Sequence, residues 1–304
     1  MYGTLTSTTY HIIMIATGNS RNMVEQLITS IDQNVQSVKI LLVLVFQGKK
    51  EKVPQPKNFN LHWENAGEQM SLSRARNRGL AVIEKYHYLG HHLMFPDDDS
   101  VFTQAFFNQF QRVVTPGEAY LCRMLNLENG EDYKKFPAAN MQDQNTALIP
   151  YVASAGLIIP QQVVKEVGSF DERLGVGAIW GSSEDVDYYL RCTKHTGFHF
   201  VRELFTLHPG RFEKYSAMDK EAIWKRFKSY SDGYYFVMCK YGLVHRLRWL
   251  PLRALGGAVL SLLRAQGSLS FIYLRLCIYR LTLQKKLKWY NRYQPQLFEE
   301  VNES

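Results

Sequence analysis

The feature that most constrains the fold is a strand–helix–strand pattern near the start of the chain. Residues 11–16 and 40–46 are short apolar runs, and such runs are typical of buried strands. Between them, residues 21–33 carry apolar side chains at helical spacing, with Asn19 or Ser20 placed to cap the helix. A strand, a helix and a second strand form a βαβ unit, which implies a parallel sheet with helices on its faces. The sequence therefore predicts an α/β fold with a mixed, mostly parallel sheet and flanking helices.

Three consecutive carboxylates follow another short apolar run. Residues 93–95 are typical of the end of a buried strand, and Pro96 then leads into Asp97, Asp98 and Asp99. Three adjacent acids repel one another, and a divalent cation with a phosphate-bearing substrate commonly relieves that repulsion. Ligands of open α/β sheets bind beyond the carboxyl ends of the strands. The triplet is thus either part of a metal and phosphate site or an acidic turn that faces water.

The charge of the chain is unevenly distributed. The 304 residues, 46% of them hydrophobic, are enough for one large domain with an appendage or for two domains. The net charge is +8, and it lies entirely after residue 239, because no Asp or Glu occurs between Gly233 and Phe298. A nucleic-acid-binding protein does not normally segregate its charge in this way. We predict an N-terminal domain over residues 1–215 and a helical, basic region over residues 216–304.

The basic region has the composition of amphipathic helices. Between residues 243 and 290, Arg and Lys alternate with Leu, Ile, Phe and Trp, and the longest uncharged apolar run is residues 254–263. A membrane-spanning helix needs about 20 apolar residues, so no span is predicted. Basic amphipathic helices lie in a membrane interface, which is the predicted location of this region. The alternative is a helical hairpin that packs on the rest of the chain or forms a dimer contact. Neither arrangement resembles the aromatic stacking platform of a nucleic-acid binder.

The cysteine spacing and the first residues of the chain indicate the cellular compartment that is expected. The four cysteines are far apart and have no CxxC spacing, so neither a zinc site nor a disulfide framework is predicted. No basic segment followed by an apolar run resembles a signal peptide, and a reducing, cytoplasmic setting is expected.

A glycine-containing loop and an acidic helix start form the second informative segment. Glycines at positions 168, 175, 177 and 181 precede Ser183, which is expected to cap a helix that runs to about residue 194. Glu184, Asp185 and Asp187 fall in the first turn of that helix. Acids at this position complement the helix dipole, each by about 0.3–1 kcal/mol, and this is a sufficient structural reason for them.

The order of these segments resembles the family 2 glycosyltransferases, which have the A-type nucleotide-diphospho-sugar transferase fold. The resemblance covers residues 11 to about 212. It depends on the strands and helix at 11–46, on A-R-N-R-G-L at 75–80, F-P-D-D-D at 95–99, G-S-F-D-E-R-L-G at 168–175 and S-E-D-V-D-Y-Y-L-R at 183–191. The acidic triplet and the E-D-V-D segment are specific in combination, whereas A-R-N-R-G-L alone is a weak signal.

The resemblance implies a metal site for the donor diphosphate. Asp97 and Asp99 match the D-x-D pair, in which one acid contacts the ribose or the metal and the other chelates the metal. His208 matches a histidine that often supplies a third ligand, and the cofactor is Mn²⁺ or Mg²⁺, imidazole being better suited to Mn²⁺. Arg211 and Lys214 lie close by in sequence and could neutralise the leaving diphosphate.

The resemblance also implies a nucleotide pocket. Thr17, Asn19 and Gln47 would line it, with Asp97 on the ribose side and Arg76 and Asn77 near the phosphates. These enzymes commonly have an aspartate at the end of the second strand that reads the uracil or the ribose. Gln47 stands at that place in this chain, and its amide can still hydrogen-bond a base edge or a hydroxyl.

For catalysis the resemblance implies an inverting mechanism with Asp185 as the base. Glu184 and Asp187 are the alternatives. The implied activity moves a sugar from a nucleotide diphosphate donor, a UDP-sugar, to a hydroxyl of a lipid-linked or growing surface polysaccharide, at the cytoplasmic face of an inner membrane. Two other classes stay open. One is a sugar-phosphate nucleotidyltransferase, although residues 17–20 form too short and too neutral a loop for that class. The other is a non-catalytic glycan- or nucleotide-binding protein.

Overall fold

A computed structural model describes residues 9–48, 53–143, 146–210 and 218–293, the last six of these by their backbone alone. The chain divides into two compact units. The first comprises residues 1–170 and 188–211, and the second comprises residues 171–187 and 212–304. The acidic helix start thus groups with the C-terminal part of the chain. A functional boundary at residue 215 stays a prediction.

The first unit contains an eight-stranded mixed sheet, which confirms the predicted α/β class. Its strands are β1 (Thr9–Gly18), β2 (Ile40–Phe46), β3 (Asn60–Asn65), β4 (Leu89–Met94), β5 (Ala119–Asn126), β6 (Met141–Asp143), β7 (Leu157–Pro160) and β8 (Phe198–His208). They lie in the order β3-β2-β1-β4-β7-β5-β8-β6. The β7 strand runs antiparallel to β4 and β5, and β6 runs antiparallel to β8, whereas the other pairs are parallel.

Helices cover both faces of the parallel half of this sheet. They are α1 (Arg21–Asn34), α2 (Leu72–Lys85), α3 (Gln104–Val113) and α4 (Gln161–Val167). Alternate residues of a strand point to opposite faces. On β1, Ile12 and Met14 join the core that α1 and α3 line, whereas Ile15 contacts α2 on the other face. Burial on both faces explains why β1 and β2 read as continuous apolar runs rather than as alternating ones.

The close packing of α2 on β1 depends on Gly79. A Cβ atom at this position would lie 2.4 Å from Cγ2 of Ile15. We expect Gly79→Ala to lower the free energy of unfolding by about 1–3 kcal/mol, because the overpacking exceeds the gain in helix propensity. Urea unfolding measures the difference. Gly256→Ala is the control, since a Cβ there meets nothing within 4 Å, and this change in an exposed helix should be neutral or stabilise by up to about 1 kcal/mol. Equal stability of the two variants would contradict the packing argument.

In three places the structure differs from what the local sequence predicts, namely one flexible loop over the turn-forming residues 126–150 and short strands over the apolar runs at 151–159 and 198–201. Residues 126–150 are not one flexible loop, because β6 forms there and pairs with β8. Residues 151–159 are not one strand, because two 3₁₀ turns precede β7. The strand predicted at 198–201 continues to His208. In each case pairing with a neighbouring strand, or its absence, set the bounds, and the local sequence does not contain that information.

The second unit is mostly helical and confirms the presence of C-terminal helices. Its helices are α6 (Lys220–Lys240), α7 (Leu250–Leu263) and α8 (Gly267–Tyr293), with a 3₁₀ turn at Val244–Leu247. Helix α5 (Glu184–Cys192) begins in this unit and ends in the first. A small core of Trp224, Ala254, Ile272 and Leu276 joins α6, α7 and α8. Among the described residues, no helix combines the length and the apolar character needed to cross a bilayer.

Candidate active site

Two parallel strands of the first unit place acids and a histidine at one edge of the sheet. The acidic triplet follows β4, and His208 is the last residue of β8. Carboxyl ends of parallel strands meet at the same edge of a sheet. A backbone bridge between Thr17 and Asp97 joins the triplet to the end of β1, and a second bridge, between Val101 and Leu207, joins it to the end of β8. The residues that follow β4 are therefore held between the ends of the other two strands.

Asp97, Asp99 and His208 form a compact cluster at this edge. One carboxylate oxygen from each acid and a ring nitrogen of the histidine all lie within 4.8 Å of one another. Nε2 of His208 is 2.9 Å from Oδ1 of Asp99 and 3.6 Å from Oδ2 of Asp97. No other group of three acidic, histidine or cysteine side chains lies this close together in the described part of the chain. The triplet is thus not simply a water-facing turn, because two of its acids face a histidine from a distant strand.

The orientation of His208 suits metal binding. Its Nδ1 is 3.0 Å from the backbone oxygen of Pro209, and a hydrogen bond there leaves Nε2 directed at the acids. Burial lowers the pKa of His208, but the hydrogen bonds and charges of Asp97 and Asp99 outweigh burial and raise it to about 10. Two carboxylates and an imidazole are a donor set that suits Mn²⁺. The residues present therefore fit a divalent cation, which would take the place of the imidazole proton.

Arg76 contacts this cluster from α2. Its side chain is 1% exposed, and Nη2 lies 3.3 Å from Oδ1 of Asp97 and donates to Oγ of Ser154 at 2.7 Å. The guanidinium also lies 5.5 Å from the ring centre of Phe170. Burial raises the pKa of Asp97, but the hydrogen bond with His208 and the charge of Arg76 outweigh it and lower that pKa. Arg76 thus keeps Asp97 ionised and in place, and a role for Arg76 near the donor phosphates stays a prediction.

The remaining predicted donor-site residues lie at or near the same edge. Thr17 is buried beside Asp97, and Asn19 is exposed on the turn after β1. Oε1 of Gln47 accepts the backbone N–H of Met70 at 2.8 Å. The Gln47 oxygen is therefore engaged in fixing the start of the segment that leads into α2.

Asn77 has a clear structural role. Its Nδ2 donates to the backbone oxygen of Phe170 at 3.0 Å, and its Oδ1 accepts the Phe170 N–H at 2.7 Å. This pair of hydrogen bonds fixes the residue that precedes the glycine-containing loop. A role for Asn77 at the phosphates stays a prediction. Residues 211–217, which include Arg211 and Lys214, lie outside the described residues.

The acids at the start of α5 belong to the second unit, where their environments differ. Asp187 is fully buried, and its Oδ1 accepts from Nζ of Lys240 at 2.7 Å and from the Tyr241 hydroxyl at 3.0 Å. Glu184 is buried, whereas Asp185 is half-buried. Asp187 is thus committed to a structural ion pair. Of the three acids, Asp185 has the exposure that a base acting on a substrate needs.

The segment before α5 is fixed to α6. Oγ of Ser229 donates to the backbone oxygen of Gly181 at 2.9 Å, and Oγ of Ser182 lies 3.2 Å from the backbone oxygen of Tyr230. Ser183 stands at the N-cap position, and its backbone oxygen accepts the Asp187 N–H at 3.0 Å. Its φ of 67° corrects the expectation of an ordinary N-cap, which has an extended backbone. Such conformations cost about 1–3 kcal/mol and concentrate at functional sites.

Asp171 of the G-S-F-D segment also has a structural partner set. Nη2 of Arg173 lies 2.6 Å from its Oδ2, and Nζ of Lys240 lies 3.2 Å from the same atom. Burial raises the pKa of Asp171, but the hydrogen bonds of Arg173 and the charge of Lys240 outweigh it and lower that pKa to about 2. Lys240 therefore joins the glycine-containing loop to the start of α5 through two carboxylates.

We expect Lys240→Met to lower the free energy of unfolding by about 3–5 kcal/mol, because it leaves the buried carboxylate of Asp187 without its cation. The Lys240 side chain is 4% exposed and that of Asp187 is 0% exposed. Urea unfolding followed by circular dichroism measures the change. Lys225→Met, on the exposed side of the same helix, should stay within about 0.5 kcal/mol of the parent protein. Similar losses of unfolding free energy in both variants would show that the buried Lys240–Asp187 pair contributes no more to stability than an exposed lysine does.

The order of the strands and the likeness to a solved structure identify the fold. The chain has the fold of nucleotide-sugar glycosyltransferases, which confirms the fold that the sequence resemblance implies. A mannosyltransferase from Pyrobaculum calidifontis, PcManGT, solved with GDP-Man and Mn²⁺, superposes with a TM-score of 0.56 over 93% of this chain and 88% of that one, at 12% identity. The S. aureus protein TarS (residues 1–349), solved with UDP, gives a TM-score of 0.48 over 91% of each chain, at 11% identity. No protein-family model and no curated protein matches the sequence.

Sequence reasoning missed two residues with structural roles, Ser154 beside Arg76 and Lys240 beside the acids at the start of α5. Ser154 accepts the hydrogen bond of Arg76, and nothing in its local sequence separates it from an ordinary small residue. Lys240 did have a signal. It is the single cation in an apolar run from Tyr235 to Tyr241, and a charge in such a run predicts a buried ion pair.

Proposed function

We propose that the protein is an inverting, metal-dependent glycosyltransferase that uses a nucleotide-diphosphate sugar, a UDP-sugar, as donor. The observation that carries the proposal is the Asp97–Asp99–His208 cluster at the carboxyl edge of a glycosyltransferase-type sheet. A second line of support comes from the Pyrobaculum mannosyltransferase, whose structure contains a nucleotide sugar and Mn²⁺ in the same fold. Asp97, Asp99 and His208 would hold Mn²⁺ or Mg²⁺.

The donor side of the reaction follows from the charge of the cluster. A bound cation would supply a Lewis acid that offsets the negative charge of the leaving diphosphate. Asp97, Asp99 and His208 would bind that cation, and Arg76 would keep Asp97 ionised and in position. Thr17, Asn19 and Gln47 would contact the nucleotide. The bond that breaks joins the anomeric carbon to the phosphate oxygen, which departs with the electron pair.

The acceptor side depends on a carboxylate base. Asp185 would take the proton of the acceptor hydroxyl as its oxygen attacks the anomeric carbon from the face opposite the leaving group, and one such displacement inverts the configuration. The position of Asp185 at a helix start favours its ionised form, which is the form that accepts a proton. A general base works best when its pKa is nearer the working pH, so this position also limits its strength as a base. Glu184 is the second candidate for the base.

The proposal includes an acceptor and a location. The acceptor would be a hydroxyl of a lipid-linked or growing surface polysaccharide, and the protein would act as a peripheral protein on the cytoplasmic face of the inner membrane. The concentration of the net positive charge after residue 239 supports a membrane partner.

A donor screen tests the proposal. UDP- and GDP-sugars are titrated into the protein with and without Mn²⁺ by isothermal titration calorimetry, and release of UDP or GDP is followed in parallel. We expect Mn²⁺-dependent binding and slow hydrolysis of at least one UDP-sugar. Preference for a GDP-sugar would show that the donor nucleotide is GDP and not UDP. Release of pyrophosphate from a nucleoside triphosphate and a sugar phosphate would indicate a nucleotidyltransferase. Absence of binding by every nucleotide sugar would refute the transferase proposal.

A further inference from the structure

The hairpin of α7 and α8 exposes its large apolar side chains. The buried positions of α7 hold only small residues, namely Pro251, Ala254, Ala258 and Ser261. Six of its seven large apolar residues are exposed instead: Leu252, Leu255, Val259, Leu260, Leu262 and Leu263. This is the reverse of a helix that packs on a protein core, where the large apolar residues face inward.

The exposed residues of α7 form a stripe. Leu252, Leu255, Val259 and Leu262 follow one another at intervals of three and four residues, so they lie on one side of the helix. Exposure reaches 65% at Leu262 and 78% at Leu263, near the end of α7.

A matching stripe runs along α8. Phe271, Leu274, Ile278 and Leu281 are spaced at the same intervals and are all exposed, Phe271 by 67%. The opposite side of α8 carries the buried Ile272, Leu276, Leu283 and Leu287. Among the described residues, 11 of the 17 exposed large hydrophobic side chains lie between Trp249 and Leu281. Such a concentration of exposed apolar side chains in one segment of the chain points to a binding surface.

The exposed charged residues that α7 and α8 themselves carry are all positive, and one of them, Arg275, pairs with Glu221 of α6 at 3.6 Å. Arg248, Arg253, Arg264, Lys285 and Lys286 are exposed, and the sequence has no carboxylate from 233 to 298. An occupant that complements this surface must therefore be both apolar and anionic. Exposed Trp249 at the start of α7 adds the kind of side chain that prefers the boundary between lipid and water.

We propose that the α7–α8 hairpin is a docking surface for an anionic phospholipid bilayer, with the two apolar stripes at the acyl boundary and the cations at the headgroups. Helices with leucine and aromatic residues on one side and Arg or Lys on the other bind membranes in this manner. A second copy of the chain suits the surface less well. A twofold contact brings the same patch against itself, so the cations of one hairpin would face those of the other, and the hairpin sequence contains no acid to pair with them. The inference rests on the membrane location proposed above and names the surface responsible for it, but it does not depend on the sugar-transfer chemistry, because docking needs neither donor nor acceptor.

Vesicle co-sedimentation of the full chain tests this surface. The vesicles contain either phosphatidylcholine alone or two parts phosphatidylcholine to one part phosphatidylglycerol. We expect strong binding to the mixed vesicles and weak binding to the neutral ones. The double variant Leu262→Gln/Leu263→Gln should bind the mixed vesicles about tenfold more weakly or worse. Arg253→Gln/Arg264→Gln should lose about tenfold on the mixed vesicles and be unchanged on the neutral ones.

The matched control is Met23→Gln/Leu89→Gln, which removes two exposed apolar side chains elsewhere on the surface and should bind vesicles as the parent protein does. Circular dichroism confirms folding of each variant. Should the leucine variant not fold, the parent protein is mixed with vesicles that contain brominated lipid, and quenching of its tryptophan fluorescence is measured. Quenching that is lost in Trp249→Phe would show that Trp249 lies in the bilayer. Failure of the parent protein to bind anionic vesicles would overturn the proposal. So would a parent dimer that the leucine variant converts to a monomer without any change in vesicle binding.

Discussion

Replacement of Asp99 by Asn is expected to weaken Mn²⁺ binding by about 100-fold and to lower donor turnover by about 10²–10³-fold. Asp99 is buried, and Oδ1 lies 2.9 Å from Nε2 of His208, so its charge contributes directly to the cluster that would hold the cation. Asparagine has nearly the same shape but removes that charge, and the change therefore isolates the electrostatic contribution. Isothermal titration with MnCl₂ measures the affinity, and release of UDP or GDP measures the turnover.

The acidic triplet supplies its own control. Asp98→Asn removes the same charge one residue away, but Asp98 is outside the cluster of Asp97, Asp99 and His208. We expect metal affinity in this variant to stay within about threefold of the parent value, since only a more distant charge is lost. Equal defects in the two variants would mean that the total charge of the triplet, and not the cluster, determines binding. Parent-like Mn²⁺ binding by Asp99→Asn would refute the metal site.

Asp185→Asn is expected to lower sugar transfer by about 10²–10⁴-fold while leaving donor affinity unchanged within about twofold. The reason is that the proposed base acts only on the acceptor hydroxyl. Asp185 is half-buried, whereas Asp187 is fixed by Lys240 and Tyr241. The measurement compares transfer to an acceptor with donor binding in the same preparation. Glu172→Gln, an exposed acid in the preceding segment, should transfer as the parent protein does.

Two outcomes would change this assignment. If Glu184→Gln loses transfer and Asp185→Asn does not, Glu184 is the base. If neither change affects transfer while donor binding persists, the acids at the start of α5 are structural. They would then serve only to complement the helix dipole.

Most of the fold was predictable because the local sequence contains its main signals. The apolar runs that became β1 and β2 could be read directly, since strands buried on both faces need no polar alternation. The helical spacing that became α1 was equally clear. Strand ends in the β6–β8 region were not predictable, because they depend on which strands lie side by side.

The candidate site was predictable in part. Three acids after a strand end left two possibilities open, a metal and phosphate site or a water-facing turn, and the family resemblance favoured the metal site. His208 was suggested only by resemblance, because its proximity to Asp99 arises from two strands more than 100 residues apart in sequence. The burial of Arg76 was not predictable, since spacing along α2 shows which residues share a face but not which face has an anionic partner.

The sequence by itself determined the parallel sheet, the acids at one strand end and the concentration of positive charge near the C-terminus. All of these depend on residue type and on spacing within a short segment. The tertiary structure decided that Arg76 pairs with Asp97, that Lys240 is buried between two carboxylates, and that the leucines of α7 are exposed. Burial and ion pairing depend on contacts between segments distant in sequence, and periodicity within one segment does not contain that information.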